Sequence, residues 1–374
     1  MSGEPKAWCV IAGGGTGGHV VPAIAIGRAL VERGHSPSDI HFVGSRRGIE
    51  ARMVPAAGFE VTLLPGRGIA RRLTVDNVGA VLGLVSAFLH AVLLMRRLRP
   101  AVTVVVGGYA SVAAAAASVL WRIPLVVAEQ NAVPGLANRL AGRFARVCAV
   151  SFEGTPLPSA VMTGNPVRPE IVRADTSPAG RTAARIALGL PADGLLVAIA
   201  GGSLGARHIN DAALELVRRW ADKQDLSIRH VVGARDLPEL ASRRPDAVEG
   251  GLRYNQIEFE DRMDLLMAAA DVAVLRAGAS TVSEVAVVGL PAILVPLPGA
   301  PGDHQTANAR RLADAGAAVL VPDSELDADR LEKELDRLLA DEPERQRMAE
   351  AARRLGRPDA AYAVAALVDD KARG

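Results

Sequence analysis

The chain has 374 residues, 49% of them hydrophobic, which is apolar material for two cores rather than one. A formal net charge of +2 and an aromatic content of 3% argue against nucleic acid as a partner, since the bulk charge is small and few base-stacking platforms remain. Its two cysteines, Cys9 and Cys148, lie inside apolar runs and argue for a reducing compartment rather than a disulfide framework.

The opening residues, MSGEPKAW, lack the pattern of a secretory signal, so the expectation is a cytosolic protein. A short apolar run closes at Val10, Ile11 and Ala12. Six residues follow, from Gly13 to Gly18, of which only Thr16 carries a side chain, and apolar positions then recur at helical spacing through Ile24, Ile26 and Leu30. This reads as strand, glycine loop and helix, a device that brings a ligand against the backbone and presents unpaired N–H groups, with phosphate as the default guest. Gly13, Gly15 and Gly18 also satisfy G-x-G-x-x-G, which raises a dinucleotide site. The second strand, residues 40–43, ends in Gly44, Ser45, Arg46 and Arg47 with no acidic residue for a ribose, which argues against NAD; the arginines leave NADP as a minor reading.

Residues 59–64 read as a strand, followed by a loop with Gly66, Arg67, Gly68, Arg71 and Arg72. The apolar segment 78–95 approaches the length of a membrane span, but Gly79, Gly83, Ser86 and His90 dilute it, and it reads as a buried or interfacial helix. A second strand-glycine-helix unit is formed by residues 102–106, Gly107, Gly108 and an alanine-rich helix reaching Trp121. The strand 124–128 delivers Glu129, Gln130 and Asn131 to a carboxyl end, where open α/β sheets bind ligands. Gly164, Asn165, Pro166, Val167 and Arg168 follow, and the polar stretch 173–185 reads as the passage between domains.

The second half repeats the device: VAIAGGSLGA, with Ser203 and Gly205, mirrors CVIAGGGTGG. Later, the strand 271–275 runs into Arg276, Ala277 and Gly278, then Ala279, Ser280, Thr281, Val282, Ser283 and Glu284. Thr281 and Glu284 have capping-box spacing; alternatively, Glu284 accepts both hydroxyls of a ribose while the helix start faces a phosphate. A long turn then carries Asp303, His304, Gln305 and Asn308. Asp327 and Asp329 have the Asp-x-Asp spacing of a metal-dependent sugar transferase, but their setting favours a solvated helix start.

With GGGTGGHVVPA, VVGGYAS, AEQN, GNPVR, GGSLGA, RAGASTVSE and DHQTANA in order, the chain resembles the MurG family of peptidoglycan N-acetylglucosaminyltransferases from about residue 7 to the last helix. Members move N-acetylglucosamine from UDP to the C4 hydroxyl of the muramyl sugar of undecaprenyl-linked lipid I, making lipid II. The resemblance implies an α/β GT-B fold, two Rossmann-like domains facing each other across a cleft. An acceptor and membrane-associating domain would span 5–167, with the final helix, about 346–374, packing back on it, and a donor domain would span 168–345. It further implies that Thr16, Gly17, Gly18, Asn131, Arg168 and Ser203 contact the donor sugar or phosphates, that Ala279 to Glu284 hold phosphates and ribose, and that Gln305 holds sugar hydroxyls. Uracil would pack near Phe259 and Glu260. The first loop has one glycine more than some members, a helix proline usual after Tyr109 and Ser111 is absent, and Ala128 stands where some relatives have histidine; these departures touch the acceptor side.

Displacement at the anomeric carbon needs a base and a sink for charge on departing UDP. Helix starts after Gly205 and near Thr281, with Arg168, suit the sink without a metal or other cofactor. His19, directly after the glycines, is the first candidate base because imidazole titrates near neutrality, with capping of the helix as its rival role; Glu129 is the second. A single in-line attack would invert the α-linked donor. The lipid acceptor places the protein peripherally on the cytoplasmic face of the cell membrane. Val78, Leu82, Val85 and Phe88 fall on one helical face between Arg71 and Arg72 on one side and Arg96, Arg97 and Arg99 on the other, suiting anionic headgroups, with core packing as the rival. The other readings are a transferase of this fold using another glycolipid or natural-product acceptor, an NADP oxidoreductase and a catalytically silent sugar-nucleotide binder.

Overall fold

A computed structural model describes residues 7–46, 48–65, 76–202 and 206–372, the side chains of 76–82 and 84 excepted. Expectations for Arg47, for the 66–72 loop, for Ser203 and Gly205, and for the Val78 and Leu82 side chains lie outside the described residues.

The chain forms two compact units, one of residues up to Arg168 together with those from Arg357 on, the other Pro169–Gly356. In the first, chain order runs β1 (Cys9–Gly13), α1 (Gly17–Glu32), β2 (Ile40–Ser45), α2 (Glu50–Ala56), β3 (Glu60–Leu64) and α3 (Asp76–Leu98). It continues with β4 (Val102–Gly107), α4 (Tyr109–Leu120), β5 (Leu125–Glu129), α5 (Leu136–Gly142), β6 (Val147–Val150) and β7 (Ala160–Met162). The second unit contains α6 (Pro169–Val172), α7 (Pro178–Ala187), β8 (Leu195–Ala200), α8 (Arg207–Arg219), β9 (Leu226–Val231), α9 (Leu237–Ser242) and β10 (Arg253–Ile257). Then come α10 (Met263–Ala269), β11 (Val272–Leu275), α11 (Ala279–Val288), β12 (Ala292–Leu294), α12 (His304–Ala313), β13 (Ala318–Leu320), α13 (Ala328–Ala340) and α14 (Glu342–Leu355). The last helix, α15 (Ala360–Ala372), belongs to the first unit.

Every strand pair is parallel, in a seven-stranded sheet ordered β3-β2-β1-β4-β5-β6-β7 and a six-stranded sheet ordered β10-β9-β8-β11-β12-β13. Strands covered on both faces read as unbroken apolar runs, and the Val104, Val105, Val126 and Val127 side chains are fully buried. One face of the first sheet is covered by α1 and α15, through Ile26, Leu30, Val364 and Val368. The other is covered by α3 and α4, whose alanines Ala110, Ala113, Ala114 and Ala117 let the helix lie close to the strands. In both sheets the strand order reverses beside the first strand of the unit, at β1/β4 and at β8/β11. Ligands of doubly wound sheets bind at this switch point, beyond the carboxyl ends of the strands.

Two boundaries differ from the sequence reading. The chain returns to the first unit at Arg357, rather than near 346, and α14 packs on α11 in the second. Asp369 secures the return by taking Arg33 Nε at 2.6 Å and His35 Nε2 at 2.8 Å behind α1. The stretch 173–185 is not a linker, because most of α7 falls within it and packs on α10. Its hydropathy misleads because arginines face the interior: Arg185, 4% exposed, meets Asp271 Oδ2 at 2.7 Å and the carbonyls of Ala269 and Gly194.

Candidate active site

At the β1/β4 switch point the register slips between Ala12 and Gly13, so that Gly13 pairs with Gly107. Both turns require glycine. Gly107 and Gly108 sit at φ of 103° and 86°, and a Cβ on Gly108 would overlap the Gly14 carbonyl. Ser111 locks the two together: its Oγ accepts the Gly107 N–H at 3.0 Å and lies 2.7 Å from the Ala12 carbonyl. Helix α1 begins at Gly17, so Gly17, Gly18 and His19 form its first turn, with Thr16 as an N-cap that makes no side-chain capping bond. Thr16 Oγ1 instead lies 3.4 Å from His19 Nδ1. The far side of the ring rests over Gly107, where a Cβ would stand 2.9 Å from Nε2.

The first turn departs from a vacant phosphate cradle. Glu50, 1% exposed at the start of α2, accepts the Gly15 N–H at 2.9 Å and the Ser45 N–H at 2.7 Å, so the chain's own carboxylate occupies an amide that the sequence reading offered to a ligand. Glu50 was missed; the glycines Gly44 and Gly48 just ahead of it were the available signal.

Glu129 ends β5 as expected, 3% exposed, but its carboxylate is already committed. Oε1 accepts the Asn131 N–H at 2.9 Å and Nδ2 at 3.2 Å, while Oε2 accepts the Gly135 N–H at 3.0 Å and Asn138 Nδ2 at 2.9 Å. Four donors occupy its two oxygens and leave no lone pair directed at an incoming proton, so the geometry makes Glu129 the organiser of the loop carrying Asn131. Tyr109 lies at the same end, its hydroxyl 2.8 Å from the Gly83 carbonyl and 3.1 Å from that of Pro65, and burial pushes its pKa up. Arg168 is the last residue of this part of the unit.

In the second unit β8 runs into Gly201 and Gly202, the latter at φ 95°, and α8 follows. Across the switch point, α11 starts with Gly278 as N-cap, without a side-chain cap. Thr281 is therefore the third residue of the helix, and the capping box expected of Thr281 and Glu284 does not form. Glu284 is buried one turn further on, at 6% exposed. The N–H groups of Ala279, Ser280 and Thr281 belong to the first turn, where no intrahelical acceptor exists. Ser280 Oγ is buried with no partner among the described residues, which marks a group that a ligand or water completes. Val282, in the same helix, is fully buried, and Ser283 is partly so.

Residues of α12 brace this turn. Gln305 Oε1 accepts the Leu297 N–H at 2.9 Å and the Ala277 N–H at 3.2 Å, leaving its amide nitrogen as the end that can turn to a ligand. Asn308 donates to the Ala277 carbonyl at 3.2 Å. Arg276 reaches the Val295 and Pro296 carbonyls and the Asp323 carboxylate. Phe259 is 58% exposed beside Glu260, whose carboxylate takes Arg229 Nη2 at 2.7 Å and the Arg262 N–H at 3.1 Å. Asp327 caps α13 through the Arg330 N–H at 2.8 Å, and Asp329 pairs with Arg219, so the Asp-x-Asp spacing serves a helix start.

The N-terminal domain of glycosyltransferase family 28 matches residues 9–150, and its C-terminal domain matches residues 196–364. A relative from Alkalilimnicola ehrlichii, the UDP-N-acetylglucosamine–N-acetylmuramyl-(pentapeptide) pyrophosphoryl-undecaprenol N-acetylglucosamine transferase, is 43% identical over 97% of this chain and 99% of its own. The chain belongs to the MurG family. A solved Acinetobacter baumannii MurG superposes with a TM-score of 0.76 at 30% identity, covering 98% of this chain and 100% of its own. The two doubly wound units are thus the GT-B architecture of MurG. A Neisseria meningitidis UDP-GlcNAc 2-epimerase bound to UDP-GlcNAc, at TM-score 0.66 and 13% identity over 97% of this chain and 99% of its own, shares the fold alone.

Proposed function

We propose that this chain transfers N-acetylglucosamine from UDP-N-acetylglucosamine to the C4 hydroxyl of the muramyl sugar of lipid I, yielding lipid II for peptidoglycan synthesis. The observation that carries the mechanism is the placement of His19 at the β1/β4 switch point, backed by Thr16 and seated over Gly107. His19 takes the proton of the attacking hydroxyl. The new bond forms between that oxygen and the anomeric carbon as the bond from that carbon to the phosphate oxygen breaks, and UDP departs with the bonding pair, so the α-linked donor gives a β product.

The second unit is the donor side. The uncapped start of α11, with Ala279, Ser280 and Thr281, faces the diphosphate, and Arg168 adds a positive charge to the leaving group. Glu284 accepts the ribose hydroxyls, and the Gln305 amide binds the sugar. Uracil lies by Phe259 and uses backbone groups, since the Glu260 carboxylate is bound to Arg229. Glu129 positions Asn131 rather than moving a proton.

The first unit also meets the membrane peripherally, from the cytoplasmic side. No helix among the described residues is long and apolar enough to cross a bilayer. On α3, however, Val85, Leu89 and Leu93 fall at i, i+4 and i+8 and are 51%, 55% and 66% exposed, with Phe88 half-buried at the edge and Arg96 and Arg97 exposed just beyond. An apolar strip flanked by arginines suits an anionic lipid surface. The strip shares Val85 with the 78/82/85/88 face and continues through Leu89 and Leu93, while Ala87 and Ala91 pack on the sheet. The reading is tested by UDP release from purified protein: release requires both UDP-N-acetylglucosamine and a lipid I analogue, and release without the lipid, or none with it, contradicts it.

A further inference from the structure

The mechanism above uses no group from α2, yet the first residue of that helix is fully enclosed against the glycine turn. Glu50, itself 1% exposed, accepts the Gly15 N–H through Oε2 at 2.9 Å and the Ser45 N–H through Oε1 at 2.7 Å. Three glycines wrap the side chain. A Cβ at Gly14, Gly44 or Gly48 would overlap it, so these positions are small because Glu50 is there.

Gly15, by contrast, is exposed, has φ 96° and, among the described residues, has no atom beyond its chain neighbours within 4 Å of where its Cβ would be. A run of three glycines has the largest backbone entropy to lose. The following residue, Thr16, makes no side-chain capping bond to α1 and places its Oγ1 3.4 Å from His19 Nδ1. The bond from Gly15 to Glu50 therefore fixes the chain immediately before the residue that abuts the imidazole.

We propose that Glu50 is a positioning residue for sugar transfer: through Gly15 and Thr16 it holds His19 in place over Gly107. This rests on the reading of His19 as the base. Glu50, 1% exposed, bonds backbone N–H groups of the first unit, so its effect falls on turnover, while UDP affinity rests mainly on the start of α11 and on Glu284.

The test compares wild type, E50Q, H19A and the H19A/E50Q double variant, all as full chains, by kcat and KM with UDP-N-acetylglucosamine and a lipid I analogue, by UDP affinity, and by thermal unfolding. E50Q keeps the shape but turns an amide N–H2 toward either Gly15 N–H or Ser45 N–H, leaving one donor without an acceptor. The expected result is a fall in kcat of about tenfold or more for E50Q, with the donor KM and UDP affinity within about twofold of wild type, and less than about a twofold further effect of E50Q in the H19A background. If E50Q does not fold, E50D, which withdraws the carboxylate by one methylene, is expected to show the same split. Wild-type kcat in a folded E50Q or E50D, with H19A impaired, overturns the role of Glu50 alone. An equal loss from E50Q in both backgrounds also overturns it, because Glu50 would then act on the unit generally. Wild-type turnover in H19A overturns the base reading and this proposal together.

Discussion

The His19 imidazole lies over the backbone of Gly107, with Nε2 2.9 Å from where a Cβ at that position would stand. Gly107 also sits at φ 103°, a conformation that L side chains rarely adopt. Gly107→Ala therefore displaces the imidazole and strains the β4 turn by about 1–3 kcal/mol, and turnover falls at least about tenfold while UDP affinity is kept. His19→Ala is the sharper case: turnover falls by about a hundredfold or more with UDP-sugar binding nearly intact. Steady-state kinetics beside calorimetric titration with UDP checks both, and unchanged turnover in His19→Ala refutes the assignment.

Asp271 is the keystone of the second unit, taking Arg181 Nη1, Arg185 Nη2 and the Leu196 N–H. Asp271→Ala leaves the Arg185 guanidinium buried without its carboxylate. Removing one member of a buried pair costs about 3–5 kcal/mol, and thermal unfolding of the variant falls by roughly 10 °C. A shift within about 2 °C would mean that solvent reaches these arginines.

His230 makes the fold acid-sensitive. It is fully buried, with Nε2–H donating to Asn210 Oδ1 at 3.0 Å and Nδ1 2.9 Å from the Tyr254 hydroxyl, and burial pushes its pKa down from 6.5 to about 3. The unfolded chain thus binds a proton that the folded chain refuses between these values. The stability contributed by the neutral ring is present above pH 6.5 and is lost as pH falls toward 3, at about 1.4 kcal/mol per pH unit. Denaturant unfolding at pH 7 and pH 5 shows a smaller loss for His230→Gln than for wild type. Equal losses would place the acid sensitivity elsewhere.

The exposed strip on α3 is read by vesicle flotation. Leu89→Ser with Leu93→Ser reduces association with phosphatidylglycerol vesicles by at least about tenfold, as removing two apolar anchors implies, and leaves turnover on a soluble acceptor analogue unchanged. Undiminished flotation would show that the membrane contact lies elsewhere.

The glycine turns, their strands and the helices behind them were legible because each is local, a β-branched run meeting glycines at a fixed place. His19 and Glu129 fall where the sequence put them, at the start of α1 and the end of β5. The missing features depend on side chains that converge in space, whether nine residues apart or ninety-nine. Asn138 is an unremarkable helix residue until Glu129 is seen to bind it, and Ser111 gains meaning only from the Ala12 carbonyl. The role of Glu129 shifted from base to organiser for the same reason, since four donors that converge in space leave no sequence pattern. Helix α7 reads as a linker in sequence because Asp271, which neutralises its inward arginines, lies far along the chain. The capping box at Thr281 was a coincidence of spacing, as Gly278 starts the helix three residues earlier.

The central claim is tested most directly by the structure of the product formed from UDP-N-acetylglucosamine and a lipid I analogue, determined by nuclear magnetic resonance. The account predicts a single disaccharide lipid with N-acetylglucosamine β-linked to the C4 oxygen of the muramyl sugar. An α linkage, a different acceptor position, or return of an epimerised nucleotide sugar with the lipid untouched would contradict it.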